Sequence, residues 1–549
     1  MSGTETMELP PWSVESDGTG PAPALGDLFV AAARRWPDRT AISDGSGSAT
    51  FAELERGART VAAWLAAQGV GPGDRVVILA EKRACLPMLA VAVWKCAAVY
   101  VPLDLAEPAV RLRGLLDRLR PAVVIALDDR DPTGTVGCWL GRTPLDAILS
   151  GPPAPHTTVA HRPEDAAYIV FVSGPTGEPQ GVENSVASLR SYFGSHNRVL
   201  RFTPESRVLS LSPFTVDVSI EDTLLPLSLG AFVHQFRGLP AGAVLRAVVG
   251  RERITHLIAV SMFLAMITGD GRQPTRDKLP EVQLVMTGAQ VCDPAVVNIW
   301  RRQLPEVRLV HAFGPPEATI FCLTYEIDRD EPERDTAYPI GRPLRGMTAK
   351  IMQDGVEVRR PGVPGELWVG GGQIMRGYFD QPEETARSLV DLDGTRYFRT
   401  GDVCSSAPDG NLMFHGHGDD GITWLAGRRT HLNEIRRAAL GCAGVDRAVV
   451  AVVRHGPRDV VALVVASAAP LVVADVEARL RELLPGHLRP ALIARSPAVT
   501  DTSTTAVDER QLIDRLVAAA AQSNANHFAL SADGSAEPID KGGDTCLER

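Results

Sequence analysis

No run of apolar residues in this sequence approaches the ~20 that a membrane helix needs, so a membrane is not expected as a partner. The opening stretch, MSGTETMELPPWSVESDGTGPAPA, lacks a basic start followed by an apolar core, and a secretory signal is not expected. Cysteine is sparse and scattered: eight residues, with no C-x-x-C pair and no metal-ligand spacing. That pattern argues against a disulfide framework or a zinc site and predicts reduced thiols in a cytoplasmic protein. Positive charge is not in excess either. The net charge is -10, and no basic stripe of the kind that binds nucleic acid is present. What remains is the composition of a globular protein, 45% hydrophobic and 22% charged. A chain of 549 residues is too long for one ordinary core, so two or more domains are expected.

Residues 1–22 are rich in Pro, Gly, Ser and Thr and predict a disordered arm. From Leu25 the pattern becomes regular. LGDLFVAAARRW reads as helix, TAISDG as extended chain, and TFAELERGARTVAAWLAAQGV as a long amphipathic helix opening on Thr50 as its N-cap. DRVVILA, VYVPLD, AVVIAL, VLSLS, THLIAV, VQLVMTG and VRLVHAFG then alternate with helical stretches, which predicts parallel β-α-β units covered on both faces. Three of these strand ends carry small or polar residues, at Ser173, at Thr287 and along His311 to Glu317. Ligands of open α/β sheets bind beyond the carboxyl ends of the strands, so the three ends belong to one candidate pocket. From about Ala349 short strands separated by Gly, Pro and Asp predict a small β-rich subdomain. The expected organisation is a large α/β N-terminal domain over 23–418, a small mobile α+β domain on a hinge over 419–522, and a disordered tail over 523–549.

SGPTGEPQG, Ser173 to Gly181, follows the apolar run AAYIVFV. Alone it is a weak signal: it is neither a G-x-x-x-x-G-K-[ST] loop nor a G-x-G-x-x-G turn, and it has no basic residue. The order of segments adds specificity. WKCAAVYVPLD, YIVFVSGPTGEPQGV, HAFGPPEATI, PIGRPL, GELWVGGGQIMRGYF, YFRTGD and GHGDD resemble, in sequence and order, the core motifs of adenylate-forming enzymes. Within that superfamily the chain is most similar to the amino-acid adenylation domains of nonribosomal peptide synthesis, from Leu25 to about Ala520.

That resemblance implies attack of a carboxylate on ATP, giving an acyl-adenylate and pyrophosphate, and then displacement of AMP by a thiol. By motif, Ser173, Gly174, Thr176 and Gly177 form the phosphate loop, whose N–H groups and hydroxyls can serve without a lysine. Glu317 holds Mg2+ through a hard oxygen ligand, Asp402 anchors the ribose hydroxyls and Phe313 stacks on adenine. Gly288, Ala289, His311, Gly314 and Arg399 complete the implied nucleotide site. The partners it implies are ATP, an amino acid and a separate carrier protein with a phosphopantetheine arm. A small MbtH-like helper protein is a further partner whose requirement the sequence leaves open.

SPFTVDVSIEDTLLPLSLGA resembles the segment where amino-acid-activating members set an aspartate against the substrate α-ammonium, here Asp217. A buried carboxylate needs such a partner. Glu221 stands four residues on, one helical turn away on the same face. By alignment it faces the substrate side chain with Val218, Met262, Val285, Thr287, Ala312 and Ile320, which predicts a cationic substrate such as arginine, lysine or ornithine. The other reading of Glu221 and Asp222 is that they cap or solvate a helix start.

Four departures weaken the pattern. Pro175 and Gln180 replace a hydroxyl residue and a lysine in the phosphate loop, and Pro316 replaces a threonine. His417 replaces the hinge arginine, while the pivot aspartate persists as Asp419 or Asp420. In the fourth, TTAVDER matches the family's NGKVDR and puts Ala506 where a catalytic lysine is expected. Two alternatives to an active adenylating enzyme follow: a catalytically impaired adenylation fold kept as a binding or scaffold protein, and an amide-forming ligase using the same pocket.

Overall fold

The computed structural model describes residues 10–12 and 23–539 apart from 130, 132, 135–137, 270–273, 289–292, 329–333, 335, 420, 426–427, 456–457, 468–470, 497–508, 524 and 532–534. Helix Phe51–Ala67 starts at the expected cap: Thr50 Oγ1 accepts from Glu53 N at 3.2 Å, and the Glu53 carboxylate accepts from Thr50 N at 2.8 Å. This reciprocal box satisfies two N–H groups that a helix start leaves without partners. Thr50→Ala is expected to cost about 1 kcal/mol, read as a lower urea midpoint at unchanged slope.

The large domain is built on two sheets. One has the order Gly377–Tyr378, Pro179–Ser185, Ala166–Ser173, Val99–Asp104, Arg75–Ala80, Val123–Ala126, Trp139–Leu140. Its interior pairings are parallel and its Pro179–Ser185 edge is antiparallel. The second sheet has a parallel interior running Thr40–Ser43, Phe232–Gln235, Arg207–Ser210, His256–Ile258, Leu284–Gly288, Arg308–Phe313. Parallel strands need helical crossovers, and these bury both sheet faces, so the strands read as near-continuous Val, Ile and Leu. The elements that build the site are, in chain order, β1 (Val99–Asp104), α1 (Ala109–Leu119), β2 (Ala166–Ser173), β3 (Pro179–Ser185), α2 (Val186–Leu200), β4 (Arg207–Ser210), β5 (His256–Ile258), β6 (Leu284–Gly288) and β7 (Arg308–Phe313).

The expected β-rich subdomain is an antiparallel sheet that includes β8 (Thr395–Ser406) and β9 (Leu412–His417). Beyond it lie a hairpin of Ile422–Leu425 with Arg428–His431, helix α3 (Leu432–Leu440), and a mixed sheet with its own apolar core.

Two expectations of disorder need correction. In the arm, Trp12 is buried: its Nε1 donates to Ser228 Oγ at 3.0 Å, and its carbonyl accepts from Asn197 Nδ2 at 2.6 Å. Apart from residues 10–12, residues 1–22 lie outside the described residues. In the tail, His527–Leu530 pairs in parallel with Leu492–Arg495, and Ala536–Pro538 closes the sheet. Phe528 and Leu530 bury their side chains there, an apolar pair that the polar residues around it hide from a composition count.

Candidate active site

The strand ends of both sheets converge on one cavity. Ser173 at the end of β2, Gly288 at the end of β6, Gly314 after β7, and Asp217, Val218 and Ile320 on the connecting loops all line it. The three strand ends of the strand-end rule meet here, but through Gly288 in place of Thr287 and through Gly314 and Pro316 of the His311 to Glu317 segment.

The phosphate loop is a tight turn between β2 and β3. Gly174 N donates to Glu178 O at 3.2 Å, and Gly177 N donates to Gly174 O at 3.0 Å. Gly177 has φ +77°, and a Cβ there would lie 2.7 Å from the Asn433 carbonyl oxygen, so this position requires glycine on two counts. Helix α3 of the C-terminal domain sits directly on the loop. Ser173 Oγ donates to Glu434 Oε2 at 2.6 Å, Asn433 Nδ2 donates to the Pro175 carbonyl at 2.9 Å, and Arg437 pairs with Glu178 at 2.7 Å. Glu434 is buried and also pairs with Arg111 of α1. The residues that touch the loop are therefore more than 250 positions away in sequence, and no local signal announces them.

Asp217 occupies a turn after β4. It is 3% exposed and accepts from its neighbour Val218 N at 3.0 Å and from Ile320 N at 3.2 Å. Ile320 donates from a left-handed backbone, φ +71°, next to Thr319 at φ +56°. A β-branched residue there is strained, and such strain persists where the surroundings fix it. Thr319 is so fixed, its hydroxyl donating to the Gln373 carbonyl at 2.6 Å. Burial, reinforced by the Glu317 and Glu221 charges and opposed by the Val218 and Ile320 N–H groups, pushes the Asp217 carboxyl up to about 7. An ammonium ligand would relieve this crowding of negative charge.

The raised carboxyl has two consequences. Its contribution to stability is present below the unfolded value of 3.8 and is lost as pH rises through about 7. Ammonium binding runs the other way, because it needs the carboxylate. For a ligand whose ammonium pairs with Asp217, KM is expected to rise as pH falls below about 7, approaching tenfold per unit, in measurements between pH 6 and 9.

Glu317 is buried beside Gly314, and its Oε1 accepts from the Tyr378 hydroxyl at 2.7 Å. It offers one hard carboxylate donor, which suits a Mg2+ ion that is otherwise held by waters and substrate phosphates. Asp402, Phe313 and His417 come together around the Phe414 ring and, like Glu317, lie off the cavity lining. His417 Nδ1 lies 2.5 Å from Asp402 Oδ1, and the Phe414 ring bridges Phe313 at 6.2 Å and His417 at 5.3 Å. Asp419 pairs instead with His431 Nε2 at 2.9 Å, at the start of the C-terminal domain. Thr176 lies in the phosphate turn, where its hydroxyl accepts weakly from Glu178 N at 3.5 Å.

Several assignments change. Glu221 does not line the cavity: it is 0% exposed, with the Tyr192 hydroxyl donating to it and His196 Nδ1 3.3 Å away. The expectation that it shares a face with Asp217 assumed an α-helix. Asp217 instead precedes the helix, and Ile220–Leu224 is a π-helical turn, in which residues four apart no longer stack. Asp222 accepts from Ser210 Oγ at 2.8 Å, tying that turn to the end of β4. Val285, Thr287 and Ala312 are buried off the cavity wall; on β6 the cavity takes Met286 and Gly288, the opposite parity. Met262 is half-buried on helix Ser261–Thr268, from which Phe263 reaches the cavity instead. His311 Nδ1 bonds to the Pro339 carbonyl at 2.8 Å rather than facing the cavity. Arg399 points outward, pairing with Glu366 at 3.2 Å over the Trp368 ring, because Thr400 and Asp402 take the inner face of β8. Ala289, Ala506 and Asp420 lie outside the described residues.

Sequence reasoning also missed Arg428 and His487, which line the cavity from the C-terminal domain. Burial and the charges of Arg428 and Arg111 bring the His487 imidazole down to about 3, so it is neutral at physiological pH.

Comparison with known proteins agrees with this geometry. The family model described as "AMP-binding enzyme" matches residues 29–379, more than half of the chain. Phenyloxazoline synthase MbtB of Mycolicibacterium paratuberculosis is 31% identical over 521 residues, covering 92% of this chain and 43% of the relative. The chain thus spans about two fifths of the length of that protein. Novobiocin biosynthesis protein H of Streptomyces niveus is 28% identical, covering 89% of this chain and 82% of the relative. Among solved structures, holo-PA1221, a nonribosomal peptide synthetase protein with adenylation and PCP domains, superposes with a TM-score of 0.78 at 24% identity, covering 90% of this chain and 84% of that one. The chain belongs to the AMP-binding enzymes, and the curated proteins it resembles include nonribosomal peptide synthetases.

Proposed function

We propose that the protein activates an amino acid with ATP as an aminoacyl-adenylate and passes the acyl group in trans to a phosphopantetheine thiol on a carrier protein. The observation that carries the reading is Asp217. Its carboxyl is buried at the cavity wall, held by two backbone N–H groups and crowded by Glu317 and Glu221. An α-ammonium is the ligand that such a site rewards.

In this reading Asp217 fixes the ammonium and so orients the substrate carboxylate toward the phosphate loop. The N–H groups and hydroxyls of Ser173, Gly174, Thr176 and Gly177 cradle the polyphosphate, and Asp402 accepts from the ribose. Glu317 holds Mg2+, which when bound supplies positive charge to the phosphates. The wall at Val218, Ile320 and Phe321 meets the side chain, and the two further carboxylates on the lining, Asp104 and Glu107, are offset by Arg111 and Arg428, which favours an apolar amino acid over the cationic one expected from Glu221.

A second reading, adenylation weakened toward a binding role, is favoured by the 2.5 Å contact of His417 Nδ1 with Asp402 Oδ1, which takes one of the two oxygens assigned to the ribose. Incubation with ATP, Mg2+, amino acids and free pantetheine separates the readings. AMP and an aminoacyl thioester support transfer to a thiol, and an amide formed with an added amine supports an amide-forming ligase. ATP binding without either product supports the scaffold.

A further inference from the structure

The buried Glu221 carboxylate has a specific set of partners. Tyr192 and His196 stand one turn apart on α2, hence on one face of it. The Tyr192 hydroxyl donates to Glu221 Oε2, and His196 Nδ1 approaches both that oxygen and the Tyr192 hydroxyl. The two rings lie 4.9 Å apart, and Trp12 packs edge-on against Phe193 on the same turn. All three members of the trio are fully buried, yet among the described residues Glu221 Oε1 and His196 Nε2 have no hydrogen-bond partner. Half-satisfied buried groups are rare, and these lie close behind the cavity. His196 packs edge-on against Phe321 at 5.9 Å, and Phe321 with Ile320 and Val218 forms the apolar wall near Asp217. His196 thus touches both the back of that wall and the Glu221 carboxylate, and Glu221, fully buried and off the cavity lining, is near enough to Asp217 to raise its carboxyl.

We infer that Tyr192 and His196 are positioning residues for substrate selection: they hold the Glu221 carboxylate behind the wall of Val218, Ile320 and Phe321, so the site accepts apolar amino-acid side chains and rejects terminal cations. The inference rests on the activation reading above. A carboxylate facing the cavity would reward a cation, whereas one already accepting from Tyr192 in the core can be reached only by displacing that donor. The unpartnered Oε1 is the capacity that a cation would use once the pair is removed.

The test compares the full chain with Tyr192→Phe/His196→Leu and with the same double variant carrying Glu221→Leu. Leucine, phenylalanine, ornithine and lysine are measured by kcat/KM in pyrophosphate exchange and by the shift in thermal midpoint. The native chain is expected to prefer the apolar pair by about tenfold or more. In the double variant the ratio should fall to about one or invert, and ornithine or lysine should raise its midpoint but not that of the native chain. Adding Glu221→Leu should restore the apolar preference and abolish the cation shift. Uniform loss on all four amino acids with an unchanged ratio would mean a merely structural role and overturns the inference, as does a native preference for lysine or ornithine. If no amino acid is activated by the native chain, the activation reading fails on its own and the midpoints decide: a cation shift confined to the double variant upholds the inference, and its absence overturns it. If the double variant does not fold, Tyr192→Phe alone should move the ratio several-fold toward the cations, and an unmoved ratio overturns the inference.

Discussion

Asp217→Ala is expected to lower kcat/KM for amino-acid-dependent pyrophosphate exchange by about 10²- to 10⁴-fold while leaving ATP affinity in place. The reasoning is electrostatic. Removing one partner of a buried ion pair costs about 3–5 kcal/mol, and each 1.36 kcal/mol is about tenfold in rate. The ammonium would face Glu317 and Glu221 at a greater remove, without the oxygens that Val218 N and Ile320 N now hold in place. A thermal midpoint near that of the native chain would show that the loss comes from binding and not from folding. A loss under threefold would remove Asp217 from substrate recognition.

The second large effect is a gain. Ala506→Lys is expected to raise the adenylation rate by about 10²- to 10³-fold, the reciprocal of losing one preorganised donor to developing transition-state charge. The prediction rests on the match of TTAVDER to the family's lysine motif and on the survival of the other handles. Asp217 and Ser173 line one cavity, and Glu317 is close enough to Asp217 to raise its carboxyl, while Ala506 itself lies outside the described residues. Burst measurements of adenylate formation, in the presence of pyrophosphatase, check it directly. No gain would count against the alignment or against the role assigned to that position.

The parts of this molecule legible in the sequence are those governed by local periodicity and by ordered motifs. Continuous apolar runs marked parallel strands, Thr50 followed by Glu53 marked a helix start, and the strand-end residues Ser173 and Gly314 met in one cavity. What failed depended on geometry that spacing does not encode. A π-turn moved Glu221 off the face that α-helical counting gave it. Strand parity placed Met286 and Gly288 on the cavity in place of Val285 and Thr287, and sent Arg399 outward. Contacts between distant segments were invisible: Glu434 on Ser173, and His196 on Glu221, join residues with no shared local pattern. The anchoring of Trp12 belongs to the same group, since its partners lie on α2 and beyond.

The phosphate loop also acquires a role in domain arrangement. With Glu434 accepting from Ser173 and Asn433 donating to Pro175, α3 occupies the space over the turn in this arrangement of the two domains. In the proposed reading Ser173 also serves the polyphosphate, so its one hydroxyl donor is shared between nucleotide and Glu434.

The central claim, activation of an amino acid through Asp217, is tested most directly by exchange of labelled pyrophosphate into ATP over the proteinogenic amino acids and their des-amino analogues. The account predicts exchange with a subset of apolar amino acids, none with the corresponding acids lacking the ammonium group, and near-complete loss in Asp217→Ala. Exchange supported equally by the des-amino acids, or unaffected by Asp217→Ala, would contradict it.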